Sequence, residues 1–184
     1  MILNELNIKI KRSRLERRIM GPAGKIEDWI SEEIDQCLQE CTPRAKGAYS
    51  FFECKVDSEK IELGGEIFHS KFLAKRFHYA KDLGLFIVTI GPKIEEKSKC
   101  KDPLQSFIYD AIGSEYAESS ANALQKFIEN EEGHKMKRYS PGYNDWDISD
   151  QEKLFKLVDG KAIGVRLTES NIMMPEKSVS GIIG

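Results

Sequence analysis

The sequence is poor in residue patterns that fix a chemistry on their own. Its three histidines, His69, His78 and His134, share no ligand spacing, and its four cysteines, Cys37, Cys41, Cys54 and Cys100, include no C-x-x-C pair. A zinc centre therefore has no basis in the sequence. Cys37 and Cys41 stand four apart in a helical stretch and read as reduced, partly buried thiols of a cytosolic protein. No apolar run reaches the roughly 18 residues a membrane span needs, and the opening MILNELNIKIKRSRLERR meets charge too early for a secretory signal or an anchor. A soluble cytoplasmic protein with no membrane partner is expected. G-x-G-x-x-G, P-loop, G-x-S-x-G and H-E-x-x-H patterns are all missing. The net charge of −2 argues against a general nucleic-acid binder, though it leaves room for a local basic patch.

What is present is an ordinary globular balance, 40% hydrophobic and 32% charged, in 184 residues, enough chain to bury a core without disulfides or metals. A single domain is expected, with an N-terminal helical segment over 1–45 and a core over 46–184. ELNIKI at 5–10 alternates like a strand. KRSRLERR carries five basic residues in eight; it could meet an acidic partner or phosphates, or form a solvated helix face. Ile26, Trp29, Ile30, Ile34 and Leu38 recur at three and four and predict an amphipathic helix from Lys25 to Gln39, before Pro43.

AYSFFECKV (48–56) and KIEL (60–63) predict a hairpin, broken after by Gly64-Gly65. Helical spacing runs from an N-cap at Ser70 to Asp82, with Gly84 closing it. LFIVTIG (85–91) is the run expected of a central strand buried on both faces. The longest helix is predicted from Leu104 to Glu129, with Phe107, Ile108, Ala111, Ile112, Tyr116, Ala123, Leu124 and Phe127 as its core face. Small residues around Gly113 to Ala121 leave its middle open to close packing, which makes this helix the expected scaffold of a site. Ser149 and Glu152 have capping-box spacing, and Gly160 suits a helix C-terminus. Residues 138–148 then form a loop between two helices, and GVRLT and SVSGII are short strand candidates near the end. The fold class is α+β: a mostly antiparallel twisted sheet with packed helices, one of them long.

The loop RYSPGY (138–143) concentrates the chemistry. Proline fixes one φ, glycine removes a side chain, an arginine can grip a carboxylate, and a tyrosine can stack on a base or face a cation. By itself it is also an ordinary tight turn.

Four segments together, RYSPGY, RLTESNIMMPEKSVSG, LGLFIVTIG and GSEYAES, resemble the activation domain of cobalamin-dependent methionine synthase over roughly Lys46 to Gly181. The resemblance implies in-trans reductive reactivation of a cobalamin methyltransferase. S-adenosylmethionine would bind in a shallow groove and give its methyl group to a cobalamin held by a partner, with an electron from a flavodoxin- or ferredoxin-type donor. It implies Arg138 on the methionyl carboxylate, the backbone of Ser140 and Gly142 at the adenosine, and Tyr143 at the nucleoside or sulfonium end. Glu118 would suit the ammonium or sulfonium, or else be an ordinary exposed helix carboxylate.

The sequence departs from the family pattern in three places. Ile182, Ile183 and Gly184 stand where a tyrosine-bearing stretch is common. Asn144-Asp145-Trp146-Asp147 replace the usual Pro-Ala and Pro-x-His, so Trp146 either supplies an aromatic contact or anchors the loop in the core. No D-x-H-x-x-G cobalamin motif is present, so the chain is expected to act on a corrinoid carried elsewhere. The alternative is a non-enzymatic docking module for a corrinoid methyltransferase that no longer binds the methyl donor; nucleic-acid binding through KRSRLERR is a third possibility.

Overall fold

The computed structural model describes residues 1–21, 24 and 26–184. In chain order the elements are β1 (Ile2–Leu3), α1 (Arg12–Met20), α2 (Asp28–Gln39), β2 (Lys46–Val56), β3 (Lys60–Leu63), β4 (Glu66–His69), α3 (Lys71–Arg76) and β5 (Asp82–Thr89). There follow α4 (Lys93–Lys97), α5 (Pro103–Glu132), β6 (Arg138–Tyr139), α6 (Gln151–Leu157), β7 (Arg166–Leu167), β8 (Met173–Met174) and β9 (Ser178–Ile183).

One sheet runs in the order β4-β3-β2-β5-β9-β6, with β1 added to β2, and β7 and β8 form a separate pair. Every pairing is antiparallel. β5 is the central strand, and its alternating side chains explain its unbroken apolar sequence. Phe86 and Val88 join the core beneath α1, α2 and α5, while Leu83, Leu85 and Ile87 join the core beneath α3 and α6. A strand covered on both faces favours apolar side chains at successive positions, and the buried Thr89 at its end is satisfied by accepting from the Ser178 hydroxyl (2.9 Å).

The long helix α5 is well delimited. The Asp102 carboxylate accepts from the N–H groups of Leu104 and Gln105, Pro103 opens the first turn, and Gly133 closes the last at φ 75°. α1 buries Leu15 and crosses to α2 through Arg12, whose guanidinium meets Asp35, Glu16 and the Ser31 hydroxyl. The basic run at the chain's start is therefore mainly an amphipathic helix face. Burial pushes the Cys41 thiol up to about 11, so it stays a neutral thiol in the core; Cys37 is buried too, Cys54 is half-buried and Cys100 exposed.

Several expectations from the sequence are corrected. Residues 5–10 form no strand: Leu6 is buried and its N–H bonds Ala45 O, but the segment lacks a ladder partner among the described residues. α2 starts at Asp28, and the predicted start at Lys25 lies outside the described residues. Trp29 and Phe107, expected in the core, are 56% and 50% exposed. α3 ends at Arg76, and Gly84 lies inside β5 opposite Phe51, where a Cβ would fall 2.8 Å from Ile183. The capping box does not form: Asp147 caps a 3-10 turn by accepting from Ser149 N–H, and α6 follows directly. Gly160 has φ −63°, not the left-handed value. Arg138 and Tyr139 are not loop but an edge strand on β9.

Candidate functional site

β6 brings the predicted arginine into position. Arg138 pairs with Ile183 and Tyr139 with Ile182, and the ladder is extended by mutual bonds between Lys137 and Gly184. The pairing depends on Gly181, because a Cβ there would collide with the Tyr139 carbonyl and approach the Phe86 ring at 3.0 Å. The glycine of the S-V-S-G stretch thus lets the arginine strand lie down on the sheet.

From β6, Arg138 reaches across to α5. Its Nη2 donates to Glu118 Oε1 (2.5 Å), and Nη1 donates to Gln125 Oε1 (2.7 Å) and Asn122 Oδ1 (3.1 Å). The arginine side chain is 15% exposed and the glutamate 45%. Glu118, Asn122 and Gln125 are spaced by four and three, hence one helix face. Glu129, four further on, continues the row: its carboxylate accepts from Met136 N–H (3.0 Å), Gln125 Nε2 (3.0 Å) and Lys135 Nζ (3.0 Å). Those bonds, the Met136 N–H foremost, hold its pKa down at about 2.

The rest of the loop is held from below. Trp146 is buried, donates from Nε1 to Asp150 (3.0 Å) and meets Phe68 edge-on at 6.1 Å. It is a core anchor, which resolves the two readings of the sequence. Asp145 clamps the start of α3: its carboxylate accepts from the Ser70 hydroxyl (2.6 Å) and Lys71 N–H (2.8 Å), while Ser70 itself accepts from Leu73 N–H (3.0 Å). The Ser70 hydroxyl is the main cause of a lowered Asp145 pKa, with the Phe72 and Lys71 N–H groups adding to it. Tyr139 is packed edge-on against Phe72 and Phe77, at 4.9 and 5.7 Å.

Between this loop and α5 lies a groove of about 520 Å³. Four of the five predicted residues, Glu118, Arg138, Ser140 and Tyr143, line it. Gly142 does not; its N–H donates to Trp146 O at 2.8 Å and serves the turn, at φ 88°. Tyr143 is 67% exposed, so its ring is open to a ligand. The sequence reading missed Phe72, Gln125, Asn144 and Val179 in this lining. Gln125 was within reach from helical spacing to Glu118, whereas Phe72 and Val179 arrive only through tertiary folding. Ile182 and Ile183 are buried in the sheet and do not line the groove.

A larger hollow of about 700 Å³ lies along Glu53–Lys55, Glu62–Gly65 and Ala80–Asp82 and contains none of the predicted residues. Among the described residues, no group of His, Cys, Asp or Glu could hold a metal ion, and no helix is long and apolar enough to cross a membrane.

The groove offers a cation and a carboxylate side by side, an exposed phenol ring and an apolar wall, an arrangement suited to a zwitterionic ligand with an aromatic portion. Comparison with solved structures finds the same fold in the crystal structure of the MetH reactivation domain bound to AdoHcy. The TM-score is 0.67 at 18% identity, over 99% of this chain and 79% of that one. Residues 66–184 match the family model described as vitamin B12-dependent methionine synthase, activation domain. That match is shorter at its start than the resemblance read from the sequence, since it leaves out β2 and β3, but it takes in every residue that lines the groove. The chain belongs to the activation-domain family of vitamin B12-dependent methionine synthase.

Proposed function

We propose that this chain binds S-adenosylmethionine in the Arg138 groove and presents its methyl group to the corrinoid of a partner protein, reactivating a cobalamin-dependent methyltransferase in trans. The observation that carries the reading is the meeting of Glu118, Arg138 and Tyr143 in one groove. It is supported by family membership and by the AdoHcy in the similarly folded domain, since AdoHcy is S-adenosylmethionine without its methyl group.

The residues fit the ligand. A volume of about 520 Å³ lies in the range of roughly 300–1,000 Å³ found for small-molecule sites. Arg138 spends three of its five N–H donors on α5, leaving Nε and one hydrogen of Nη2 for a ligand carboxylate. Glu118, half exposed, faces the ammonium; Tyr143 covers the nucleoside; the Ser140 backbone meets the adenosine. When bound, S-adenosylmethionine would supply a methyl group that leaves without an electron pair, the broken C–S pair staying on sulfur as a thioether and the partner's reduced corrinoid supplying the pair for the new bond. No proton moves, so these side chains need only bind and orient. A flavodoxin- or ferredoxin-type donor would supply the electron to the partner's corrinoid, and a methyl donor held here would make that reduction productive by consuming its product.

A second reading, a docking module without methyl-donor binding, is favoured by one observation: Glu118 already occupies Arg138. A spectroscopic assay separates the two. A cobalt(II) corrinoid methyltransferase is incubated with a reductant, S-adenosylmethionine and this chain. Methylcobalamin absorbance that requires both the chain and S-adenosylmethionine is the expected result; formation indifferent to either would overturn the proposal.

A further inference from the structure

We propose that Gln125 is the positioning residue that aims Arg138 into the groove, and that through it the site selects ligands by their carboxylate. The inference rests on the S-adenosyl reading above.

Arg138 stands on β6, a two-residue edge strand, and a long arginine side chain on so short an element has many rotamers to lose on ordering. What fixes it is α5. Gln125 is the member of the α5 row that bonds in both directions. Its Oε1 accepts from Arg138 Nη1 (2.7 Å), so its Nε2 must point the other way, where it donates to Met136 O (2.8 Å) and Glu129 Oε1 (3.0 Å). The amide orientation is therefore set by its surroundings, with an arginine on one side and two acceptors on the other. Glu129 is held in turn by Met136 N–H and Lys135. A continuous line, Glu129 to Gln125 to Arg138 to Glu118, runs along one face of the helix.

An amide is suited to this position for two reasons. A carboxylate at 125 would face Glu129 and the Met136 carbonyl with no proton to give either. An apolar side chain would leave Arg138 with fewer acceptors and strip the Met136 carbonyl of its partner. Gln125 is also neutral: it orients the guanidinium without adding a second carboxylate beside the one that Glu118 already places there. Because Gln125 and Asn122 take up Nη1 and Glu118 takes one hydrogen of Nη2, the donors left to a ligand are Nε and the other Nη2 hydrogen.

The test is calorimetric titration of the whole chain, with two probes. S-adenosylhomocysteine carries the carboxylate; 5′-methylthioadenosine shares the nucleoside and thioether but lacks the amino-acid end. The variants are Gln125→Ala and the near-isosteric Gln125→Met, which keeps the packing if the smaller residue impairs folding. The expected result is a loss of about tenfold in S-adenosylhomocysteine affinity, the size of one hydrogen bond to a charged group, with 5′-methylthioadenosine affinity unchanged. Equal losses for both probes, or no loss for either in both variants, would overturn the role of Gln125 and leave the proposed function standing. Failure of the unaltered chain to bind S-adenosylhomocysteine would remove the proposed function and this inference with it.

Discussion

Arg138 Nη2 lies 2.5 Å from Glu118 Oε1 across the groove, joining an edge strand to the middle of the long helix. The glutamate is nearly half exposed, and ion pairs in such settings contribute about 0–1 kcal/mol because solvent screens them. Glu118→Ala should therefore shift the denaturant midpoint little while weakening S-adenosylmethionine binding severalfold, by loss of the ammonium partner. A large stability loss with unchanged binding would make the pair structural.

Gly181 links the sheet to the site more rigidly. Its missing Cβ makes room for the Tyr139 carbonyl, a backbone atom that cannot rotate away. Gly181→Ala should destabilise by about 1–3 kcal/mol, the usual cost of overpacking, and lower ligand affinity as well, because β6 carries Arg138. Urea unfolding and titration of the same sample measure both.

Trp146 tests whether the loop is anchored or exposed. It is fully enclosed, bonded to Asp150 and stacked edge-on to Phe68. Trp146→Ala should cost about 3–5 kcal/mol, as for large aromatic truncations in cores, seen as a lower midpoint in urea. A cost below about 1 kcal/mol, the size of a surface change, would place the ring outside the core.

Glu129 sets a pH dependence. Its carboxyl is held at about 2 in the folded chain against an ordinary 4.5, first by the Met136 N–H. A depressed folded-state pKa means that the unfolded chain binds the proton more readily, so stability rises with pH across the interval. The contribution is complete above about 4.5 and fades as pH falls towards 2. Glu129→Gln should flatten the acid limb of the stability curve in that window and leave the neutral range with only its constant offset.

Much of the fold was legible because local pattern and tertiary environment agree. LFIVTIG reads as a strand covered on both sides, the long helix predicted from Leu104 to Glu129 spans Pro103–Glu132, and Ser70 caps α3 as its position suggests. Four of the five residues expected at the site line one groove, and they were picked out for a different reason, the resemblance carried by RYSPGY and GSEYAES. What stayed hidden depends on partners far along the chain. Asp145 caps a helix 75 residues away from it through Ser70, and Gly181 is required by a carbonyl 42 residues earlier in sequence. Trp29 and Phe107 match helical periodicity but face solvent, since periodicity counts residue type and not whether a neighbouring element covers the face. The capping box at Ser149 lost to Asp147, whose carboxylate reaches the Ser149 N–H first.

The most direct measurement is titration of the purified chain with S-adenosylmethionine, paired with Arg138→Ala. Saturable one-site binding is expected, weakened in the variant by about tenfold to a hundredfold, the range for losing hydrogen bonds from a charged group. Equal affinity in the two proteins, or no binding by the unaltered chain, would contradict it.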